Sequence, residues 1–190
     1  IFTSSAFAQT LTANQRFGDE VVPSHYEYPS FYTGAKPLTE HARILERALG
    51  VALSPYDARL ADRPLPKGAE GYFLIPDWRF IASTYEQAIE KVFVALAKER
   101  QGEFIKWRTG KLVEAYLRES EHTKTSWRRM VAAQGANQTL VIPAQFGMLH
   151  RGESIRRARA TFSPNEFVLG AYHIAIMLLT HPERLSTGVL

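Results

Sequence analysis

The stretch Glu70–Trp78, EGYFLIPDW, decides the class of fold. Its apolar run Tyr72–Ile75 lies between a glycine and a proline and has the length and boundaries of a buried strand. A second run of this kind occurs in QTLVIPAQFG, residues 138–147. It predicts a strand over Leu140–Ile142 that ends at Pro143 or shortly after it. Two short apolar runs of this kind predict a small sheet of short strands.

Helix signals surround the two strands. TEHARILERALG, with Thr39 as N-cap and Gly50 as the terminating glycine, has apolar residues at helical spacing. Ser83 or Thr84 caps the next helix, and Ser163-Pro-Asn-Glu begins a helix that runs to about Thr180. Residues 111–120 and 125–135 also favour helices, whereas GEFIKWRTGK at 102–111 fits either a short strand or a bent loop.

These elements predict an α+β fold with about five helices packed on a small sheet, because strands and helices do not alternate regularly. We expect a single α+β domain over 38–190, preceded by an extended N-terminal arm over 1–37 that is rich in aromatic residues and proline. The rings of the arm either pack on the rest of the protein, which we favour, or stack nucleic-acid bases.

The composition narrows the function classes. The 190 residues include no cysteine, which excludes disulfides, thiolate catalysis and cysteine-ligated metals. The net charge is +4, and residues 101–160 alone contain 11 Lys and Arg against 5 Asp and Glu. A regional excess of this kind indicates a surface for a polyanion.

The strongest candidate site is the basic stretch HRGESIRRAR, residues 150–159. Gly147 and Gly152 permit a close backbone approach, and Ser154 caps a helix that starts directly afterwards. Amide groups at a helix start attract an oxyanion, and guanidinium groups bind phosphate in bidentate fashion. We therefore expect Arg151 and Ser154 to lie nearest to the anion.

The three arginines further along this helix cannot all face one ligand. Helical spacing places Arg156 and Arg159 near one face, displaces Arg157, and predicts that Ile155 and Ala158 form the inner stripe. An equally weighted alternative is that the arginines pair with carboxylates such as Glu153 and Glu166 on a solvated surface. The first interpretation gives a phosphate-binding helix and the second an ordinary charged one.

A second basic cluster, KTSWRRM, combines one tryptophan with three cations, and KWR at 106–108 precedes it. Cations interleaved with an aromatic ring suit a single-stranded nucleic acid, because rings stack on bases while cations hold the backbone. The alternative, which we favour for Trp127 itself, is a helix with one buried tryptophan. The expected phosphate contacts are Lys124, Arg128 and Arg129.

Catalytic signals are sparse. The six histidines show no helical zinc spacing, and the phosphate-loop, nucleophile-elbow and dinucleotide motifs are missing, so we predict neither metal nor cofactor. His150 and Glu153 are weak candidates for an acid–base pair acting on a phosphate ester. His173 lies in an apolar segment and is predicted to be a hydrogen-bonded core residue.

Two resemblances add to this reading. The sequence from 141 to 185, VIPAQFG through HPERL, together with GAEGYFLIPDW, resembles a family of bacterial proteins that has no assigned activity. A second, weaker resemblance links GESIRRARA at 152–160 to the phosphate-binding box G-E-R-R-x-x-A of ParB-like partition proteins. Here Ser154 and Ile155 separate Gly152-Glu153 from the paired arginines, which therefore point differently.

The sequence thus predicts a protein that binds DNA or RNA through the basic helix of its C-terminal half. One alternative is an enzyme that processes phosphates or nucleotides at the loop 147–154. Another is an assembly module that uses the aromatic arm for self-association or for a protein partner. We expect no membrane partner and a cytoplasmic location, although SSAFAQ at 4–9 has the small-residue form of a signal cleavage site.

Overall fold

The computed structural model describes residues 17–101, 104, 110, 112–113, 115–117, 119–135 and 139–185. The chain forms two compact units. The small unit comprises the residues up to Tyr26 together with His150–Val168, and the large unit comprises Glu27–Leu149 together with Leu169 and the residues after it. The predicted domain boundary at residue 37 stays a prediction.

Six α-helices and two strands occur within the described residues, and they confirm the α+β class. The strands are β1 (Gly71–Pro76) and β2 (Thr139–Ala144). The helices are α1 (Leu38–Leu49), α2 (Trp78–Ile81), α3 (Tyr85–Glu99), α4 (Glu121–Gln134), α5 (Ile155–Thr161) and α6 (Ala171–Thr180). Short 3-10 helices lie at Ala58–Asp62, Met148–His150 and Pro182–Arg184.

Both strands belong to the core of the large unit. They pair antiparallel, with Leu74 opposite Val141, and nearly every residue of either strand is buried. Helices α1 and α6 pack on β1, α4 contacts β2, and α3 packs along α6. The sheet is buried on both faces, which explains why its strands are continuous apolar runs rather than alternating ones.

The outer edges of this two-stranded sheet are closed by side chains. The Gln134 amide donates to the Val141 carbonyl (2.8 Å) and its oxygen accepts from the Val141 N–H (2.9 Å), as a neighbouring strand would do. On β1, the Leu74 N–H donates to His41 Nδ1 (3.4 Å). Buried backbone groups need partners, and these side chains supply them where the described residues form no third strand.

Several helix boundaries follow local signals. The Thr84 hydroxyl caps α3 by accepting from the Gln87 N–H (3.2 Å), and α1 ends at Gly50, whose φ of 67° is left-handed. Helix α1 begins at Leu38, two residues before Glu40, the first helical position that a Thr39 cap predicts. The side chain of Thr39 therefore does not cap the helix.

Two predicted helices are corrected. The helix expected from Ser163 begins only at Ala171, because Ser163-Pro-Asn-Glu forms a turn in which the Glu166 N–H donates to the Ser163 carbonyl (2.9 Å). Of residues 111–120, those described over 112–117 form a single turn on Val113 rather than a helix. The alternative of a strand or a loop over 102–111 falls mostly outside the described residues.

The aromatic arm contributes to packing in the large unit. Tyr28 and Tyr32 lie against the buried guanidinium of Arg184, with ring centroids 3.5 and 4.9 Å from its central carbon. Phe146 completes the aromatic surround at 4.9 Å. The packing interpretation therefore holds for these two rings, while Phe31 is 63% exposed.

No helix in the described part of the chain is long and apolar enough to cross a membrane.

Replacement of Gln134 by Met, which keeps its size but not its hydrogen bonds, should destabilise the large unit. It leaves one buried N–H and one buried C=O of Val141 without a partner. Each lost hydrogen bond lowers the free energy of unfolding by about 1–3 kcal/mol. Urea unfolding followed by circular dichroism measures the change. An unaltered midpoint would show that water or another group closes this edge equally well.

Acid should unfold the protein through its buried histidines. Burial lowers the pKa of His41 to about 3 and that of His181 to about 4, against an ordinary value of 6.5. Between pH 6.5 and these lowered pKa values, the unfolded chain binds more protons than the folded chain. The contribution to stability is therefore complete above pH 6.5 and falls as the pH drops towards 4. Each histidine contributes a slope of about 1.4 kcal/mol per pH unit.

Urea midpoints measured across this pH range test the acid prediction. The variant His41→Gln retains an acceptor for the Leu74 N–H but cannot titrate, so its stability should fall less steeply with acid. Equal slopes for the variant and the wild type would contradict the assignment of one proton to His41.

Candidate nucleic-acid site

Helix α5 starts where the sequence predicts, at the Ser154 cap. The Ser154 hydroxyl oxygen accepts from the Arg157 N–H (3.1 Å). The same hydroxyl donates to the Glu20 carboxylate, which also accepts from Arg156. A carboxylate of the chain itself therefore occupies the position expected for a bound anion.

The close backbone approach that Gly152 permits is also made by the chain itself. A Cβ atom at Gly152 would lie 2.2 Å from the Val22 carbonyl oxygen, and Gly152 has a left-handed φ of 79°. The Val22 N–H donates to the Gly152 carbonyl (2.8 Å), and the Ser154 N–H donates to the Glu20 carbonyl (3.1 Å). The segment 20–22 thus covers the loop before α5.

His150 and Glu153 are brought together, but in a structural arrangement. His150 Nδ1 lies 3.0 Å from Glu153 Oε2, and His150 Nε2 lies 2.7 Å from Glu166 Oε1. Both ring nitrogens thus have partners, which leaves neither available to a substrate in this state. The carboxylates that were expected to pair with arginines pair with His150.

The remaining residues of this basic stretch are divided among different surroundings. Arg151 donates to the Tyr26 carbonyl (3.1 Å), Arg159 is exposed, and Arg157 is half-buried. The predicted inner position of Ile155 is wrong, since this side chain is 69% exposed. Arg157, rather than Ile155, has the more buried side chain of the two.

A cavity of about 350 Å³ lies within the large unit, and most of the second basic cluster lines it. Helix α4 forms one wall with five residues at the spacing i, i+3, i+4, i+7, i+8, the repeat of a single helix face. These residues are Lys124, Trp127, Arg128, Val131 and Ala132. Arg129 is exposed and does not line the cavity.

Aromatic rings form much of the cavity wall. The Trp78 and Tyr85 rings meet edge to face with centroids 6.0 Å apart, and the Trp127 ring lies 4.0 Å from the His173 ring. Asp77 caps α2 and pairs with Arg79, whose guanidinium lies over Trp78. The favoured burial of Trp127 is thus partial, because this half-buried ring also lines the cavity.

Two polar side chains, His173 and Glu119, line the cavity beside these rings. His173 is only 3% exposed, and its Nδ1 accepts from the Gly170 N–H (3.1 Å). Glu119 accepts from the Tyr85 hydroxyl (3.2 Å) through Oε1, which lies 3.8 Å from His173 Nδ1. Burial lowers the pKa of His173 to about 4, so the imidazole is neutral near pH 7.

The tight packing around this pair fixes its position. A Cβ at Gly170 would lie 2.0 Å from Glu119 Oε1 and 2.8 Å from the Tyr85 hydroxyl oxygen. That hydroxyl accepts from the Tyr172 N–H (3.2 Å), and burial raises its pKa, so it remains a donor to Glu119. Glycine at 170 is what allows the carboxylate and the imidazole to share this corner.

Sequence reasoning missed most of this cavity. The α4 face is visible in the sequence as the helical spacing of Lys124, Trp127 and Arg128. The partners Trp78, Tyr85 and Glu119 come from distant segments, and no local pattern connects them. The prediction of His173 as a hydrogen-bonded core residue is confirmed, but its ring also borders the cavity.

No protein-family model matches the chain, and no curated protein or solved structure matches it either. Both resemblances stay predictions. Within the described residues, no cluster of acidic and histidine side chains is arranged to hold a metal ion.

Replacement of His150 by Ala should loosen the small unit rather than abolish a reaction. It removes the common partner of Glu153 and Glu166, and hydrogen bonds to charged groups contribute about 1.5–3 kcal/mol each. Amide hydrogen exchange over 150–166 should accelerate at least about tenfold. The exposed His25 of the same unit provides the control variant His25→Ala, and equal exchange in both variants would contradict the structural role.

Proposed function

We propose that the protein binds single-stranded nucleic acid, with one base inserted in the cavity of the large unit and the neighbouring phosphates held by Lys124 and Arg128. The observation that carries the proposal is the shared lining of this cavity by two tryptophans, a tyrosine and these two cations. Stacking rings beside cations are what single-stranded nucleic acids require.

The cations are suitably placed for phosphate groups. Arg128 is exposed, and Lys124 has an exposed partner, Glu121, at 2.9 Å. Surface ion pairs of this kind contribute little, so a phosphate can replace the carboxylate at small cost. The cavity walls are apolar enough to accept a base, while the cations remain in water where the backbone would run.

The small unit is a weaker candidate for the same activity. Glu20 already pairs with Ser154 and Arg156, and the Arg151 guanidinium binds a backbone carbonyl. An incoming phosphate would have to displace the Glu20 carboxylate from two partners. Arg151, Arg156 and Arg159 are all exposed on this unit, and Arg159 would serve as an outlying contact.

Fluorescence anisotropy with a labelled single-stranded 12-mer of mixed sequence tests the proposal. Charge reversal in Arg128→Glu should weaken binding about tenfold or more and reduce the salt dependence by about one phosphate contact. Tryptophan fluorescence should be quenched on binding, because bases would stack near Trp78 and Trp127. Duplex DNA of the same sequence should bind less well, since its bases are already stacked.

Arg129→Glu is the matched comparison. It makes the same charge change on the same helix, next to Arg128 but outside the cavity lining. A clearly smaller loss than in Arg128→Glu supports the cavity as the site. Equal losses, or binding without quenching, would indicate diffuse attraction to a basic surface and would overturn the proposal.

A further inference from the structure

We propose that the inserted base is guanine, recognised through its Watson–Crick edge by His173 and Glu119. This inference rests on the proposed function, because it assigns the base that the same cavity accepts. It is carried by two polar groups on the cavity wall whose hydrogen-bonding roles are set by their own neighbours.

His173 is fixed as a hydrogen-bond donor towards a ligand. Its Nδ1 accepts from the Gly170 N–H, so the proton of the neutral ring is on Nε2. No partner of Nε2 is found among the described residues, and Nε2 is not one of their enclosed unpaired atoms. It can therefore donate to an acceptor on a ligand.

Glu119 is fixed as an acceptor. Its Oε1 receives the Tyr85 hydroxyl proton, and the neutral His173 has no proton on Nδ1 to offer it. In the part of the chain that the structure describes, the one basic side chain within ion-pair distance of this carboxylate is the neutral His173 imidazole. Its second oxygen, and the second lone pair of the first, can therefore accept from a ligand.

The two residues together offer one donor and two acceptors along the cavity wall. Guanine presents the complementary set on its Watson–Crick edge, with O6 as acceptor and N1–H and the N2 amino group as adjacent donors. Adenine offers one donor and one acceptor there, and uracil offers one donor between two acceptors. Of the common bases, guanine alone has two adjacent donors for a carboxylate.

The surrounding cavity suits this assignment. The Trp127 ring lies tilted against His173 with an interplanar angle of 40°, and Trp78 and Tyr85 supply further aromatic surface for a flat purine. A hydrogen bond to a carboxylate is stronger than one between neutral groups, so a base that supplies two donors is favoured over a base that supplies one. Cytosine, adenine and uracil each offer only one donor on this edge, so one of the two acceptor positions of the carboxylate would stay unfilled.

Four otherwise identical single-stranded 12-mers of thymine, with guanine, hypoxanthine, adenine or cytosine at one central position, provide the direct test. The guanine strand should bind about tenfold or more tightly than the adenine strand, as bidentate base contacts typically discriminate. Hypoxanthine lacks only the N2 amino group, so its strand should fall between the two. This order requires no variant of the protein.

Glu119→Gln tests the residue. The amide keeps the shape of the side chain but replaces one acceptor by a donor, so the ratio of the affinities for the guanine and adenine strands should fall towards one. The wild-type and variant thermal midpoints show whether the fold survives. If the wild-type protein binds the four strands equally tightly, the guanine assignment is wrong, whatever the variant does.

The failures of the two proposals are distinguishable. If all strands bind with tryptophan quenching but without preference, the guanine assignment is wrong and the proposed function stands. If no strand binds, both proposals are wrong. If the preference exists and survives in Glu119→Gln, guanine is recognised elsewhere and the assignment to this pair is wrong.

Discussion

The architecture of the large unit depends on closing the edges of a two-stranded sheet inside a protein core. A sheet of two strands has an unpaired row of backbone groups on each side, and burial between helices removes the water that would satisfy them. Gln134 meets this requirement on β2 and His41 meets it on β1. Since Gln134 is the last residue of α4, the same contact fixes the helix that carries the cavity wall.

The cavity lies where the Trp127 ring of α4 meets the His173 ring of α6, beside the polar side chain of Glu119. His173 belongs to the first turn of α6 and holds the Gly170 N–H, so it caps the helix and borders the cavity at once. Desolvation keeps its ring uncharged, while Lys124 and Arg128 keep their charges near water. The result is a graded environment, with neutral and acceptor groups inside and cations at the rim, which suits a ligand that is flat at one end and anionic at the other.

Sequence reasoning succeeded where structure is set by neighbours in the chain. The strands around Phe73 and Ile142, the Thr84 and Ser154 caps and the terminating Gly50 all follow from local residue types. It failed where a distant residue decides the outcome. Ser163-Pro-Asn-Glu has the signature of a helix start, yet Glu166 binds His150 and the helix begins at Ala171. The arginines of α5 resemble an anion site, and only the fold shows that Glu20 fills it.

The two prolines of the sheet have a protective consequence. Gln134 binds both backbone groups of Val141, so these point away from β1, and residues two positions away point in the same direction. The nitrogen of Pro143, which carries no hydrogen, therefore lies on the outer edge of β2. The nitrogen of Pro76 lies in the same way on the outer edge of β1, where the Pro76 carbonyl accepts from the Tyr172 hydroxyl. Neither edge presents the unbroken ladder that a strand from another molecule needs, so even partial opening of the helices would not create a template for aggregation.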